Sequence, residues 1–99
     1  MSPTFEAEAR FERDLRRLTR AQRAAFDRAR RRLVAALGSS PPRFDPASRV
    51  KRVQGQAGVW ELSWAPDGRA TFSYGPEVLP GQAHIVWRRI GDHSVLVDP

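Results

Sequence analysis

From Val59 to Tyr74 the apolar residues fall at every second position on either side of one turn. Trp60, Leu62 and Trp64 alternate with Glu61 and Ser63. Ala70, Phe72 and Tyr74 alternate with Arg69, Thr71 and Ser73. A period of two belongs to strands. The segment therefore reads as an antiparallel hairpin with one apolar and one polar face. Pro66-Asp67-Gly68 supplies a three-residue loop, with Gly68 expected in the left-handed position. That loop sets Ala65 opposite Arg69, Ser63 opposite Thr71 and Glu61 opposite Ser73. On the other face Trp64 meets Ala70, Leu62 meets Phe72 and Trp60 meets Tyr74. Glu61 and Arg69 then share the polar face but stand four residues out of step, roughly 13 Å along the strand, too far for a tight ion pair.

The half of the chain before the hairpin has a different period. Thr4 to Phe11 alternates briefly, which admits a short strand, and from about Glu8 the spacing turns helical. Phe11, Leu15 and Leu18 lie at i, i+4 and i+7 on one helix face. Thr19 breaks the pattern and is placed to cap a second helix. That helix carries Phe26, Leu33 and Leu37 with Ala25, Ala29 and Ala36 beside them, and Gly38 ends it. Ser39-Ser40-Pro41-Pro42 cannot continue a helix. After the hairpin come an exposed loop from Gly75 to Gly81, a strand from His84 to Ile90 that is apolar on both sides and so central, a turn at Gly91-Asp92, and a last short strand over His93 to Val97. With Val50 and Val53 marking a strand before the hairpin, the sheet has about four strands. The expected fold is α+β: an N-terminal helical hairpin, about residues 8–38, packed on one face of a twisted antiparallel sheet, about residues 49–97. The opposite sheet face is left open.

Charge and composition narrow the function classes. The 99 residues make one small domain, with no cysteine for a disulfide framework or thiolate metal site. Only His84 and His93 are available as imidazole ligands, which argues against a catalytic zinc. The N-terminus has no charged-then-apolar leader and no apolar run is long enough for a bilayer, so the expected compartment is the cytoplasm. The net charge is +6, and it is concentrated. Between Arg10 and Arg32 lie ten arginines against Glu12, Asp14 and Asp27. Such a field attracts polyanions and acidic partners; a solvated helix face is the alternative.

Four stretches, in this order and spacing, carry a resemblance: Phe11-Glu12-Arg13-Asp14-Leu15-Arg16-Arg17-Leu18, Gly58-Val59-Trp60-Glu61-Leu62, Gly68-Arg69-Ala70-Thr71-Phe72 and Arg89-Ile90-Gly91-Asp92-His93. Two helices followed by a sheet whose hairpin bears an arginine just after the turn resemble the RelE/ParE toxin superfamily, with local likeness to HigB-like and RelE-like members. The resemblance implies a toxin of a bacterial type II toxin–antitoxin pair. The activity it implies is endoribonucleolytic cleavage of mRNA, usually on the ribosome, with no metal or other cofactor. It further implies an antitoxin whose acidic segment wraps the toxin, contact with ribosomal RNA, and no membrane partner. Two other outcomes share the fold: a ParE-like toxin that binds gyrase without cleaving anything, and an inactive interaction domain. An unpaired sheet edge would accept an antitoxin strand or a second copy.

The implied chemistry names residues. RNA cleavage without a metal requires the 2′-hydroxyl deprotonated, the extra charge on the phosphorane stabilised and the 5′-oxygen protonated. Arg69, where the family carries an arginine, offers a planar fork of donors for the scissile phosphate. His93 stands where HigB-like members have a histidine in an Ile-Gly-x-His stretch, and an imidazole can give or take a proton. Glu61 and Ser63 occupy positions where RelE has lysines; Glu61 is a candidate general base but no cationic stabiliser. Lys51, Arg52, Arg88, Arg89 and Ser63 are candidate phosphate contacts. Leu96 replaces the aromatic that ends many RelE-like chains. Trp60, Trp64 and Trp87 fall on apolar faces and are expected in the core.

Overall fold

A computed structural model describes residues 2–99. In chain order it contains strand β1 (Thr4–Ala7), helix α1 (Ala9–Arg16), helix α2 (Arg20–Leu37), a 3-10 turn (Pro46–Ser48), strands β2 (Lys51–Arg52), β3 (Val59–Ser63), β4 (Gly68–Gly75) and β5 (His84–Asp92), and a second 3-10 turn (His93–Val97). The class is α+β, as expected. The sheet has five strands rather than about four, in the order β1-β5-β4-β3-β2. It is mixed rather than wholly antiparallel, because β1 runs parallel to β5, pairing Thr4 with His84 and Ala7 with Trp87.

Local chemistry sets the helix boundaries. Thr19 accepts a hydrogen bond from the Gln22 backbone N–H at 3.1 Å, and the Gln22 side chain accepts from the Thr19 N–H at 2.8 Å. This reciprocal box satisfies two of the donors that every helix start leaves unpaired. Gly38 does end α2, but with φ −72° rather than in the left-handed region. Phe11 of α1 and Phe26, Ala29 and Leu33 of α2 pack on Leu62, Ala70, Phe72, Ile85, Trp87 and Ile90 of the sheet. The Phe26 ring meets Trp87 edge-on at 5.2 Å between centroids. Trp64 and Trp87 are buried as expected. Trp60 is half-buried, with the Arg52 guanidinium 5.3 Å from its ring centre.

The hairpin register differs from the expected one by two residues. Ser63 pairs with Arg69, Glu61 with Thr71, Leu62 with Ala70 and Trp60 with Phe72. The loop is Ala65-Pro66-Asp67, one position earlier than expected, with the Trp64 N–H donating to the Gly68 carbonyl at 3.2 Å. Gly68 does not take a positive φ. It is needed because Trp64 lies flat against it: a Cβ there would sit 2.6 Å from the indole ring. A close approach, not a turn conformation, fixed the glycine, and that moved the register.

In β5 the ladder contains one extra residue. Thr71 pairs with Arg89 and Phe72 with Trp87, so Arg88 bulges between them. Residues His93 to Val97 are not a strand. Asp92 accepts the Ser94 backbone N–H at 2.8 Å and caps a 3-10 turn instead. That turn folds against the sheet, with Val95 buried and its Cγ1 3.0 Å from where a Gly91 Cβ would stand. The sheet face away from the helices is therefore partly covered. Among the described residues no helix is long and apolar enough to cross a membrane.

Candidate functional site

Arg69 and Glu61 project from neighbouring strands on that second face. In the observed register Glu61 lies diagonal to Arg69, two residues along from its direct partner Ser63. The expected separation is corrected accordingly: Arg69 Nε stands 3.8 Å from Glu61 Oε1. This is an ion pair without a hydrogen bond, since 3.8 Å exceeds donor–acceptor contact. Arg69 Nη1 instead donates to carbonyls of the turn, at 2.9 Å to Gly68, 3.3 Å to Pro66 and 3.4 Å to Ala65. Glu61 is only 5% exposed. Lys51, its direct cross-strand partner, brings Nζ to 4.0 Å from the same oxygen. Lys51, Arg52, Val53, Glu61, Arg69 and Leu96 line a cavity of about 590 Å³. A carboxylate nine-tenths buried between an ammonium and a guanidinium suits an anion whose hydroxyl must lose a proton.

His93 reaches the same turn from the end of β5. It begins the C-terminal 3-10 turn, its side chain is 70% exposed, and Nδ1 hydrogen-bonds the Asp67 carboxylate. With Nδ1–H donating to a carboxylate, Nε2 of the neutral ring is free to take a proton. Arg69 and His93 thus converge on residues 65–67, but His93 does not line the cavity that holds Glu61. Asp67 was legible in the sequence only as a turn residue. Its position between Pro66 and Gly68 was the one available signal, and nothing local said that a histidine 26 residues away would meet it.

The other candidates are dispersed. Ser63 is half-buried opposite Arg69. Arg52 is exposed over Trp60. Arg88 donates to the Pro99 carbonyl at 3.2 Å and lies 3.5 Å from Glu8. Arg89 is committed elsewhere: Nε donates to Asp14 Oδ2 at 2.6 Å, and the Ile90 N–H donates to that oxygen at 3.2 Å. The Asp14 carboxylate holds the Arg89 guanidinium even more firmly protonated than usual, chiefly through that hydrogen bond. Asp14 lies in the second half of α1 and takes the N–H of Ile90, a β5 residue beyond the last one paired with β1. The second histidine, His84, is buried and used by the fold. Its Nδ1 is 2.7 Å from the Thr4 hydroxyl and its Nε2 donates to Glu6 at 2.7 Å, fastening β1 to β5. Among the described residues no three His, Cys, Asp or Glu side chains converge as a metal site would require.

No family model matches the sequence, and neither does any curated protein. Solved structures do match in three dimensions. YafQ in the E. coli DinJ-YafQ toxin-antitoxin complex superposes with a TM-score of 0.70 at 13% identity, covering 97% of this chain and 98% of that one. The RelB-RelE antitoxin-toxin complex of Methanococcus jannaschii contributes a chain with TM-score 0.62 at 12% identity, covering 93% and 94%. HP0894 of Helicobacter pylori gives 0.61 at 15% identity, covering 95% and 97%. At these identities the likeness is one of fold: the chain has the RelE-like fold that these structures share.

Proposed function

We propose that this protein is the toxin of a toxin–antitoxin pair and that it cleaves mRNA without a metal, on the ribosome. The observation that carries the reading is the placement of Arg69, 3.8 Å from buried Glu61 on one hand and leaning on the turn whose Asp67 holds His93 on the other. The likeness to YafQ and RelE, both solved with antitoxins, supports the toxin and its antitoxin partner.

Glu61 takes the proton of the 2′-hydroxyl. The 2′-oxygen then bonds to the adjacent phosphorus while the bond from phosphorus to the 5′-oxygen breaks. Arg69 stabilises the added charge on the phosphorane. His93, oriented through Nδ1 by Asp67, acts in its doubly protonated form and gives the Nε2 proton to the departing 5′-oxygen. The products are a 2′,3′-cyclic phosphate and a 5′-hydroxyl end. Lys51 and Arg52 contact flanking phosphates. The exposed arginines of α2 dock on ribosomal RNA, or on the acidic segment of the antitoxin when that is bound.

The test is induced expression in a bacterial host with mapping of mRNA 5′ ends. Cuts within translated codons are expected. Arg69→Ala should abolish them, with a loss of about 10²–10³ in rate for a lost charge stabiliser. His93→Ala should cost about 10²-fold or more as a lost acid. Intact mRNA together with a DNA-damage response would replace this reading with a gyrase-directed one.

A further inference from the structure

A second cavity, of about 390 Å³, lies on the other side of Arg69. Its wall includes Arg32 of α2, Arg49 just after the first 3-10 turn, Ser63 and Trp64 at the end of β3, and Arg69 itself. Three arginines from three separate segments line it and no carboxylate does. The cavity around Glu61 differs in that respect, and Arg69 forms the partition between the two.

The surrounding charge pattern leaves this cavity cationic. On α2, Asp27 accepts from Arg30 at 2.6 Å and pairs with Arg31 at 2.8 Å. Those contacts hold its carboxyl below the usual range. Arg32, the next residue, has no acidic partner among the described residues, and neither has Arg49. Arg49 adopts φ 48° and ψ 44°, the left-handed region that non-glycine residues rarely enter. The turn before it is fixed by the Asp45 carboxylate, which accepts the Ala47 N–H at 2.9 Å. Trp64, 8% exposed in the same wall, has an indole N–H with no partner. The polar side chains lining the cavity are thus three guanidinium forks and one hydroxyl. Paired donor forks around a concave site select a tetrahedral oxyanion.

We propose that the Arg32–Arg49–Arg69 cavity is a phosphate subsite that holds an RNA phosphodiester next to the one being cleaved. This rests on the reading of the protein as an RNA-cleaving toxin for the identity of the polyanion. Arg69 then touches both phosphates, while Arg32 and Arg49 touch only the second. They set where along the strand the cut falls and take no part in the chemistry.

The experiment measures binding of a labelled single-stranded 2′-O-methyl RNA, which cannot be cut because its 2′-oxygen is blocked. Anisotropy is read from 50 to 200 mM salt. The variants are Arg32→Ala with Arg49→Gly, the glycine suiting the positive φ. Arg32→Gln with Arg49→Asn serves as a second neutral pair. Arg13→Ala, an exposed cation of α1 outside the cavity, is the control. Both neutral pairs should weaken binding about tenfold and flatten the plot of log K against log salt by about 0.7, one phosphate contact. Arg13→Ala should change affinity less than about threefold. Both neutral pairs behaving like Arg13→Ala overturns the proposal. So does a loss confined to an oligo-glutamate probe, which would make the cavity a carboxylate site. If cleavage persists while RNA affinity is unchanged in the pairs, the subsite falls and the nuclease stands. If the pairs lose RNA and the unmodified protein cuts none, the subsite stands and the nuclease falls.

Discussion

Two arginines on adjacent strands of one sheet meet two acids in opposite ways. Arg89 and Asp14 lock at 2.6 Å, and Asp14, 5% exposed, also accepts a backbone N–H of β5. Arg69 and Glu61 stand 3.8 Å apart without a hydrogen bond, and Arg69 leans on turn carbonyls instead. The acids are equally buried. The difference is saturation. The first pair spends its donors on the fold, joining α1 to β5. The second keeps charge in reserve at the mouth of a cavity. Salt bridges therefore divide here into mortar and machinery, by geometry and not by residue type.

Breaking each pair should separate the two roles. Asp14→Ala strands a guanidinium and a strand N–H and should cost about 3 kcal/mol of unfolding free energy in a urea titration. A loss as small as that from Glu61→Gln would collapse the distinction. Gly68→Ala drives a methyl into the Trp64 ring and should cost about 1–3 kcal/mol, while shifting the turn that carries Arg69. Its near-ultraviolet signal from tryptophan should change with it. Glu61→Gln, which keeps the side chain's shape and has no hydrogen bond to lose, should alter stability by less than about 1 kcal/mol, yet slow RNA cleavage by about 10² or more, since it removes the proposed general base. Equal effects on both would place Glu61 with Asp14.

The smallest effect concerns pH. The Ser94 hydroxyl, then the Ser94 N–H, hold the Asp92 carboxyl below its ordinary 3.8. A group with a lowered folded value stabilises above the unfolded one and loses that contribution as pH falls through the folded value. The C-terminal turn should thus stay capped at neutral and mildly acidic pH and loosen only in strong acid. The Ser94 amide resonance should titrate with a midpoint below 3.8; a midpoint at or above that value would show the cap is not formed.

What was legible followed from short-range chemistry. Thr19 and Gln22 lie three residues apart, and the helix start they dictate is present. The alternation of Val59 to Tyr74 fixed which side chains share a face, because parity survives a register shift of two. It did not fix the register, which depended on Trp64 folding back over Gly68. His93 to Val97 carries β-branched residues and reads as a strand by propensity, yet the Asp92 cap next to it outweighs that preference. The parallel docking of β1 on β5 depends on contacts between residues 80 apart, Thr4 and His84, and no local pattern announces them. At the site, the residue types around Glu61 and Arg69 were readable, but their closeness and the contact of Asp67 with His93 were not. Both depend on pairings across strands.

The single unpaired residue in β5 has one more implication. Trp87 and Ile90 both point into the core although three positions separate them, because Arg88 is surplus to the ladder. Shortening the chain by that arginine would restore a strict in-and-out rhythm and leave the apolar interior intact. What would go is the link that Arg88 makes between Glu8 and Pro99. One spare position thus acts as a rivet, tacking two outlying segments onto a sheet that has no need of it for its own cohesion.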